Sequence, residues 1–249
     1  MLNDKVTIVT GAGSGIGRSV AMICAREGAK VLVSDINVTS GEETAAMVKA
    51  AGGDALFFPA DVGKPADNKA LVEEAIKQFG RLDVACNNAG IAGMRAHLTD
   101  YSLDEWAKVI NVNLSSVFYG MQPQITAMLA TGGGAIVNIA SILGAVGFST
   151  TTAYTAAKHG VVGLTQVAAL EYSARGVRVN AVGPGFIHTP LISELEQNPT
   201  VEAMLVSAHP IGRLGKPEEV AELVAWLASD RASFVSGAYY PVDGGYLAR

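Results

Sequence analysis

Two cysteines in 249 residues, Cys24 and Cys86, are too few for a disulfide scaffold and lack the paired spacing of a metal site. Both are expected to be buried, inert thiols. Charge is scarce at 16%, its sum is -5, and no basic patch or stripe interrupts it, which argues against a nucleic-acid partner. No run approaches the roughly 20 consecutive apolar residues that a membrane helix requires. The 49% of hydrophobic residues are instead spread along the chain, as expected for one soluble domain over 1–249 with a large core. Linkers, low-complexity tracts and repeats are lacking. The opening MLNDKVTIVT shows no basic and apolar leader before its strand-like run, and the expected location is cytoplasmic.

What the chain does have is an alternation. Short, nearly continuous apolar runs begin at Lys5, Lys30, Asp54, Leu82, Ala135, Arg178 and Ala238, the pattern of strands covered on both faces in a parallel sheet. Between them lie helical patterns at 16–27, 41–51, 65–79, 103–129, 153–174 and 217–228. The expected fold is α/β: a doubly wound Rossmann sheet of seven parallel strands with helices on both faces. One stretch breaks the rhythm. The excursion at 186–216 separates the sixth strand from the last helix, and such excursions usually close over a site. The GGG at 132–134 reads as a helix stop, and His159 and His188 read as structural or surface residues.

Directly after the first strand, TGAGSGIG (10–17) places Gly11, Gly15 and Gly17 before a helix. The strict Gly-x-Gly-x-x-Gly pattern is absent, yet this spacing allows a tight turn, close backbone approach and a helix N-terminus facing a pyrophosphate. Asp35 ends the second strand, where a carboxylate accepts hydrogen bonds from an adenosine ribose diol and repels a 2'-phosphate. Neither the turn nor the residues just after Asp35 supply an Arg or Lys for that phosphate. The expected cofactor is therefore NAD(H). Asp61, closing the third strand, is placed to reach the adenine edge.

The fourth strand runs into NNAG (87–90) and the fifth ends at Ser141, both at strand ends that face a cofactor crevice. Tyr154 and Lys158 then lie on one face of the next helix, a spacing of slightly more than one turn. A cation about 4 Å from a phenol is worth on the order of 4 kcal/mol at an effective dielectric near 20, or about three pKa units before desolvation. Lys158 is thus expected to draw Tyr154 toward neutrality as an acid/base for an alcohol or ketone oxygen, with Ser141 orienting that oxygen.

With TGAGSGIG, Asp61, NNAG, Asn113 in NVNL, Ser141, YTAAK (154–158) and VGPGFIHT (182–189) in this order, the whole chain resembles the short-chain dehydrogenase/reductase family. The resemblance implies a catalytic set of Asn113, Ser141, Tyr154 and Lys158. In it Tyr154 is the acid/base, Lys158 also holds the nicotinamide ribose, and Asn113 supports a water-linked proton relay. Cofactor contacts are expected from Gly11, Ser14, Gly15, Ile16, Gly17, Asp35, Ile36, Asp61, Val62, Asn88, Ala89 and Gly90. Further on, Tyr154, Lys158, Pro184, Gly185, Ile187 and Thr189 complete them. The resemblance also implies a homotetramer built through the long helices and the last strand.

The substrate is expected against Ser141, Leu143, Tyr154, Met94, Val146 and Phe186, with Leu191, Ile192, Leu195 and Met204 from the excursion. These walls are mostly apolar and favour a neutral, hydrophobic or cyclic secondary alcohol or ketone. His97, Glu194 and Glu196 are candidate polar contacts. Two alternatives stand: a 3-oxoacyl-[acyl-carrier-protein] reductase, although 121–141 holds no Lys or Arg for a docking patch, and a non-catalytic dinucleotide-binding sensor or scaffold.

Overall fold

Seven parallel strands follow one another across the sheet in the order β3-β2-β1-β4-β5-β6-β7 in the computed structural model, which describes residues 1–248. They are β1 (Val6–Thr10), β2 (Lys30–Asp35), β3 (Asp54–Pro59), β4 (Val84–Asn87), β5 (Gly134–Ile139), β6 (Val177–Pro184) and β7 (Tyr239–Val242). The apolar runs are continuous because each strand feeds two cores. Val31 and Val33 pack with α1 (Gly15–Arg26), α2 (Val38–Ala50) and α9 (Pro217–Ala228), whereas Leu32 between them faces α3 (Pro65–Phe79) and α5 (Ser116–Ala130). That second layer also takes Val161, Ala168 and Ala169 of α6 (Thr152–Tyr172). No described helix is long and apolar enough to cross a membrane.

The helix expected over 41–51 starts earlier, at Val38, because the Asn37 side chain accepts the Ser40 N–H at 3.1 Å and caps it. The single helix expected over 103–129 is interrupted. It divides into α4 (Leu103–Ile110), a π-helical turn at Asn111–Ser115 and α5. A π-turn widens the helix by one residue and commonly marks a functional position. This one carries Asn113. The excursion at 186–216 holds two short helices, α7 (Ser193–Glu196) and α8 (Pro199–Ser207). Gly132 and Gly133 take φ of +94° and +134° in the turn after α5, as a helix stop requires.

Candidate active site

The strand order reverses at β1, which lies between β2 and β4, so a crevice opens at their carboxyl ends. The turn after β1 is built against it. Gly11 and Gly15 take φ of +61° and +50°, and a Cβ on Gly17 would lie 2.2 Å from the Gly11 carbonyl oxygen. Only glycine lets α1 start this close to the turn. Ser14, the residue before α1, makes no side-chain cap, and the first turn holds no acidic residue. Its backbone N–H groups are therefore available to an anion. NNAG is fastened to the same turn: Asn88 Nδ2 donates to the Thr10 and Gly11 carbonyls at 2.9 and 3.1 Å, and the Asn88 and Ala89 N–H groups donate to Thr10 Oγ1.

A groove runs from here along Gly11, Ser14, Gly15, Ile16, Asp35, Ile36, Asp61, Val62, Asn88, Ala89, Gly90 and Thr189. Gly17 lies under the turn, outside this lining. Both Asp35 carboxylate oxygens are held by backbone: Oδ2 accepts from Gly13 N at 2.8 Å and Oδ1 from Asn37 N at 2.9 Å. Gly13, which the motif spacing passes over, has a purpose here. A Cβ on it would lie 2.8 Å from Asp35 Oδ2. Asp61 is partly engaged, with Oδ1 accepting from Gly63 N at 3.0 Å and Oδ2 3.6 Å from Lys64 Nζ. Glycine cradle, open helix N-terminus and fixed carboxylate together fit a dinucleotide.

Through Ile16, Asn88, Gly90, Thr189 and Leu191 the groove continues into a second, mostly apolar cavity that Ser141, Tyr154 and Lys158 line. Ser141 lies beyond β5 in extended backbone (φ -176°, ψ 164°) and starts a short 3-10 turn, its Oγ accepting from Leu143 N at 3.2 Å. Lys158 is 4% exposed, and its Nζ donates to the Ile139 carbonyl at 2.7 Å. A Cβ at Gly90 would lie 3.3 Å from Asn113 Oδ1 and 3.8 Å from Lys158 Nζ, so one glycine leaves room for both side chains. The Asn113 amide clamps Ile91, accepting its N–H and donating to its carbonyl, both at 2.8 Å.

Lys158 Nζ stands 5.6 Å from the centre of the Tyr154 ring. Burial pushes the Tyr154 phenol up, and a hydrogen bond from Ser141 opposes that only in part. Burial also presses Lys158 down to about 8. Burial is the largest influence on both groups, and Ser141 is the neighbour that lowers the phenol.

Of the expected substrate contacts, Leu143, Phe186, Leu191, Ile192 and Leu195 line the cavity. Met94, Val146 and Met204 do not. Val146 is 37% and Met204 54% exposed, their stretches of chain having turned outward, and the wall near Met94 comes from Ala92, Gly93 and Arg95. His97, Glu194 and Glu196 are likewise outside the lining, and Glu196 bonds the His188 ring instead. Arg95 and Lys158 are the only charged side chains on the wall. Arg95 lies over the Phe148 ring, 5.6 Å from its centre.

Three features had gone unread in the sequence. Asn87 and Asn138 sit opposite each other in the β4–β5 register and join Gln124 and Thr165 in a buried chain of hydrogen bonds beneath the site. His209 accepts the Phe186 N–H on Nε2 at 3.2 Å, and its Nδ1 faces the Leu205 carbonyl at 2.8 Å, which fixes a cavity wall from below. Tyr239 Oη donates to the Ser141 carbonyl at 2.7 Å. For the asparagines the signal was their matching place at two strand ends. His209 and Tyr239 leave no local signal.

A family model described as enoyl-(acyl carrier protein) reductase matches residues 11–247. Cyclohexanol dehydrogenase of Acinetobacter sp. (strain SE19) is 51% identical over 99% of this chain and 96% of its own length. Cis-4-hydroxycyclohexanecarboxylate dehydrogenase of Sinomonas cyclohexanicum is 45% identical over 98% and 97%. A crystal structure from Beutenbergia cavernae, provisionally described as an NAD(P)-dependent gluconate 5-dehydrogenase with NADP bound at low occupancy, superposes with a TM-score of 0.95. It is 40% identical and covers 100% of this chain and 98% of that one. Sheet order and groove thus define a nicotinamide-dinucleotide oxidoreductase on a Rossmann fold. The chain belongs to the short-chain dehydrogenase/reductase family, and its relatives place it among the alcohol dehydrogenases.

Proposed function

We propose that this protein is an NAD(H)-dependent dehydrogenase of cyclic secondary alcohols, interconverting alcohol and ketone. The observation that carries the reading is the cavity itself: Ser141, Tyr154 and Lys158 meet on one wall, and aliphatic and aromatic side chains supply most of the rest. A small, largely apolar ring matches that wall, and an anion that needs paired cations does not. In oxidation the substrate hydroxyl hydrogen-bonds Ser141 Oγ and gives its proton to Tyr154 Oη as the phenolate. An oxidised nicotinamide, when bound in the adjoining groove, would supply the two-electron acceptor for the hydride of the carbinol carbon. Reduction runs the same steps backward. Lys158 borders both cavities through Gly90 and is placed to hold a ribose hydroxyl. The Asn113 amide, bonded to Ile91 on both its oxygen and its nitrogen, holds the π-turn against the NNAG segment beside the site.

A panel read by NADH production for alcohols and NADH consumption for ketones tests the substrate. Cyclohexanol is expected to outrun open-chain alcohols in oxidation, and cyclohexanone to outrun acyl-thioester ketones in reduction, by at least about tenfold in kcat/KM, roughly 1.4 kcal/mol. Preference for an acyl-carrier-bound ketone, or no turnover with any member, overturns the reading. The homotetramer belongs to the same proposal. Phe118 on α5 and Val167 and Leu170 on α6 are 44%, 52% and 86% exposed, a helical face that self-association would cover. Light scattering should return four times the monomer mass, and a monomer would refute it.

A further inference from the structure

We propose that Tyr239 is a positioning residue for the reaction: from the sheet edge, its hydroxyl holds the Ser141 carbonyl and thereby aims the Ser141 hydroxyl at the reacting oxygen. The inference rests on the role given to Ser141 above. The last β5–β6 bond before the site is Ala140 N to the Val182 carbonyl at 2.7 Å, so Ser141 itself lies beyond the ladder. Its carbonyl is held from two sides, by Gly144 N at 2.8 Å within the 3-10 turn and by Tyr239 Oη at 2.7 Å from outside it. The second bond crosses a strand. Tyr239 sits on β7, opposite Ala181 of β6, and its side chain reaches over β6 at Gly183. A Cβ on Gly183 would lie 2.2 Å from Tyr239 Oη and 2.4 Å from Cζ. The glycine leaves the passage through which the phenol reaches Ser141.

The hydroxyl is a durable donor. Burial, aided by the Asp243 carboxylate, pushes the Tyr239 phenol up to about 12, so it keeps its proton wherever the reaction is run. No described water or polar side chain is needed to explain its bond, and the partner it selects is the main chain of the residue whose Oγ touches Tyr154. Holding both Ser141 carbonyl lone pairs removes the freedom of the 3-10 turn to rotate the serine away. An anchor for an edge strand would have served equally well on any carbonyl of β6.

Tyr239→Phe keeps the ring against Gly183 and removes only the donor. The expected result is a loss of about three- to tenfold in kcat, as for one neutral hydrogen bond, with the KM for NAD unchanged. The pH limb of alcohol oxidation should move to higher pH, because the Ser141 bond is what draws the Tyr154 phenol down. Gly183→Ala, which expels the ring, should reproduce both effects. In a Ser141→Ala background, Tyr239→Phe should cost nothing further. A wild-type kcat and unmoved pH limb in Tyr239→Phe, or an equal loss with Ser141 already removed, overturns the proposal whatever the melting temperature does. If instead Ser141→Ala itself keeps wild-type kcat, the catalytic set fails and the proposal falls with it. The two failures are therefore distinguishable.

Discussion

Tyr154→Phe should fold, bind dinucleotide normally and lose about 10³-fold in kcat, the scale of a removed general acid/base. The substitution deletes one oxygen from a half-buried ring at the cavity wall, so packing is preserved while the proton has nowhere to go. The sign of the pH dependence follows from the same group. Oxidation needs the phenolate, and burial holds the phenol above its ordinary value near 10. The kcat/KM for alcohol oxidation should therefore climb as pH rises, while ketone reduction, which needs the protonated phenol, falls at high pH. Burial brings Lys158 down to about 8, so its charge beside the phenol is present below that pH and fades above it. In Tyr154→Phe the alkaline climb should vanish with the turnover. Turnover within about tenfold of wild type, with folding unchanged by circular dichroism, would remove Tyr154 from the reaction.

The sheet could be read from the chain because its signal is local and redundant. Strands buried on both faces are apolar without alternation, and Val31, Leu32 and Val33 each state this separately. Helix ends were legible where a residue announces them, as Pro65 and Pro217 do at the first turns of α3 and α9. The π-turn at Asn111–Ser115 was not, because one extra residue in a helix leaves the hydrophobic spacing nearly intact. In the site, the glycine turn, Asp35 and Ser141 are legible because each stands at the carboxyl end of its own parallel strand, and Tyr154 and Lys158 because four residues of one helix stack them. Positions whose meaning depends on another strand or on the excursion are different. Tyr239 meets Ser141, and His209 meets Phe186, only after the chain has closed on itself. The same reason misplaced Met94, Val146 and Met204: being apolar and near the site in sequence does not fix which way a loop turns. The Lys158 argument rests on a balance of magnitudes, since Coulomb attraction across a protein interior competes with the burial of both partners.

The second large effect is expected in the choice of dinucleotide: kcat/KM with NAD should exceed that with NADP by about 10²- to 10³-fold. Asp35 closes the groove with both oxygens fixed by the Gly13 and Asn37 N–H groups, so it cannot swing aside without abandoning two hydrogen bonds. A 2'-phosphate entering there meets a held carboxylate, and like charges so placed cost on the order of several kcal/mol, which sets the ratio. The cation nearest in sequence to the turn offers no relief. Arg18 is already bonded to the Gly13 carbonyl, to Thr44 Oγ1 at 3.0 Å and to Glu43 at 2.7 Å. NADP in the Beutenbergia cavernae structure shows that this fold can admit a 2'-phosphate, so its exclusion here would rest on such local charges. Asp35→Asn removes the charge and keeps an acceptor for one of the two backbone N–H groups. It should raise kcat/KM with NADP by at least about tenfold and lower that with NAD, whose ribose diol loses its best acceptor. If the wild-type protein prefers NADP, or if Asp35→Asn leaves the ratio where it was, the carboxylate does not set the preference and Arg18 becomes the group to examine, freed from Glu43 by the bound phosphate.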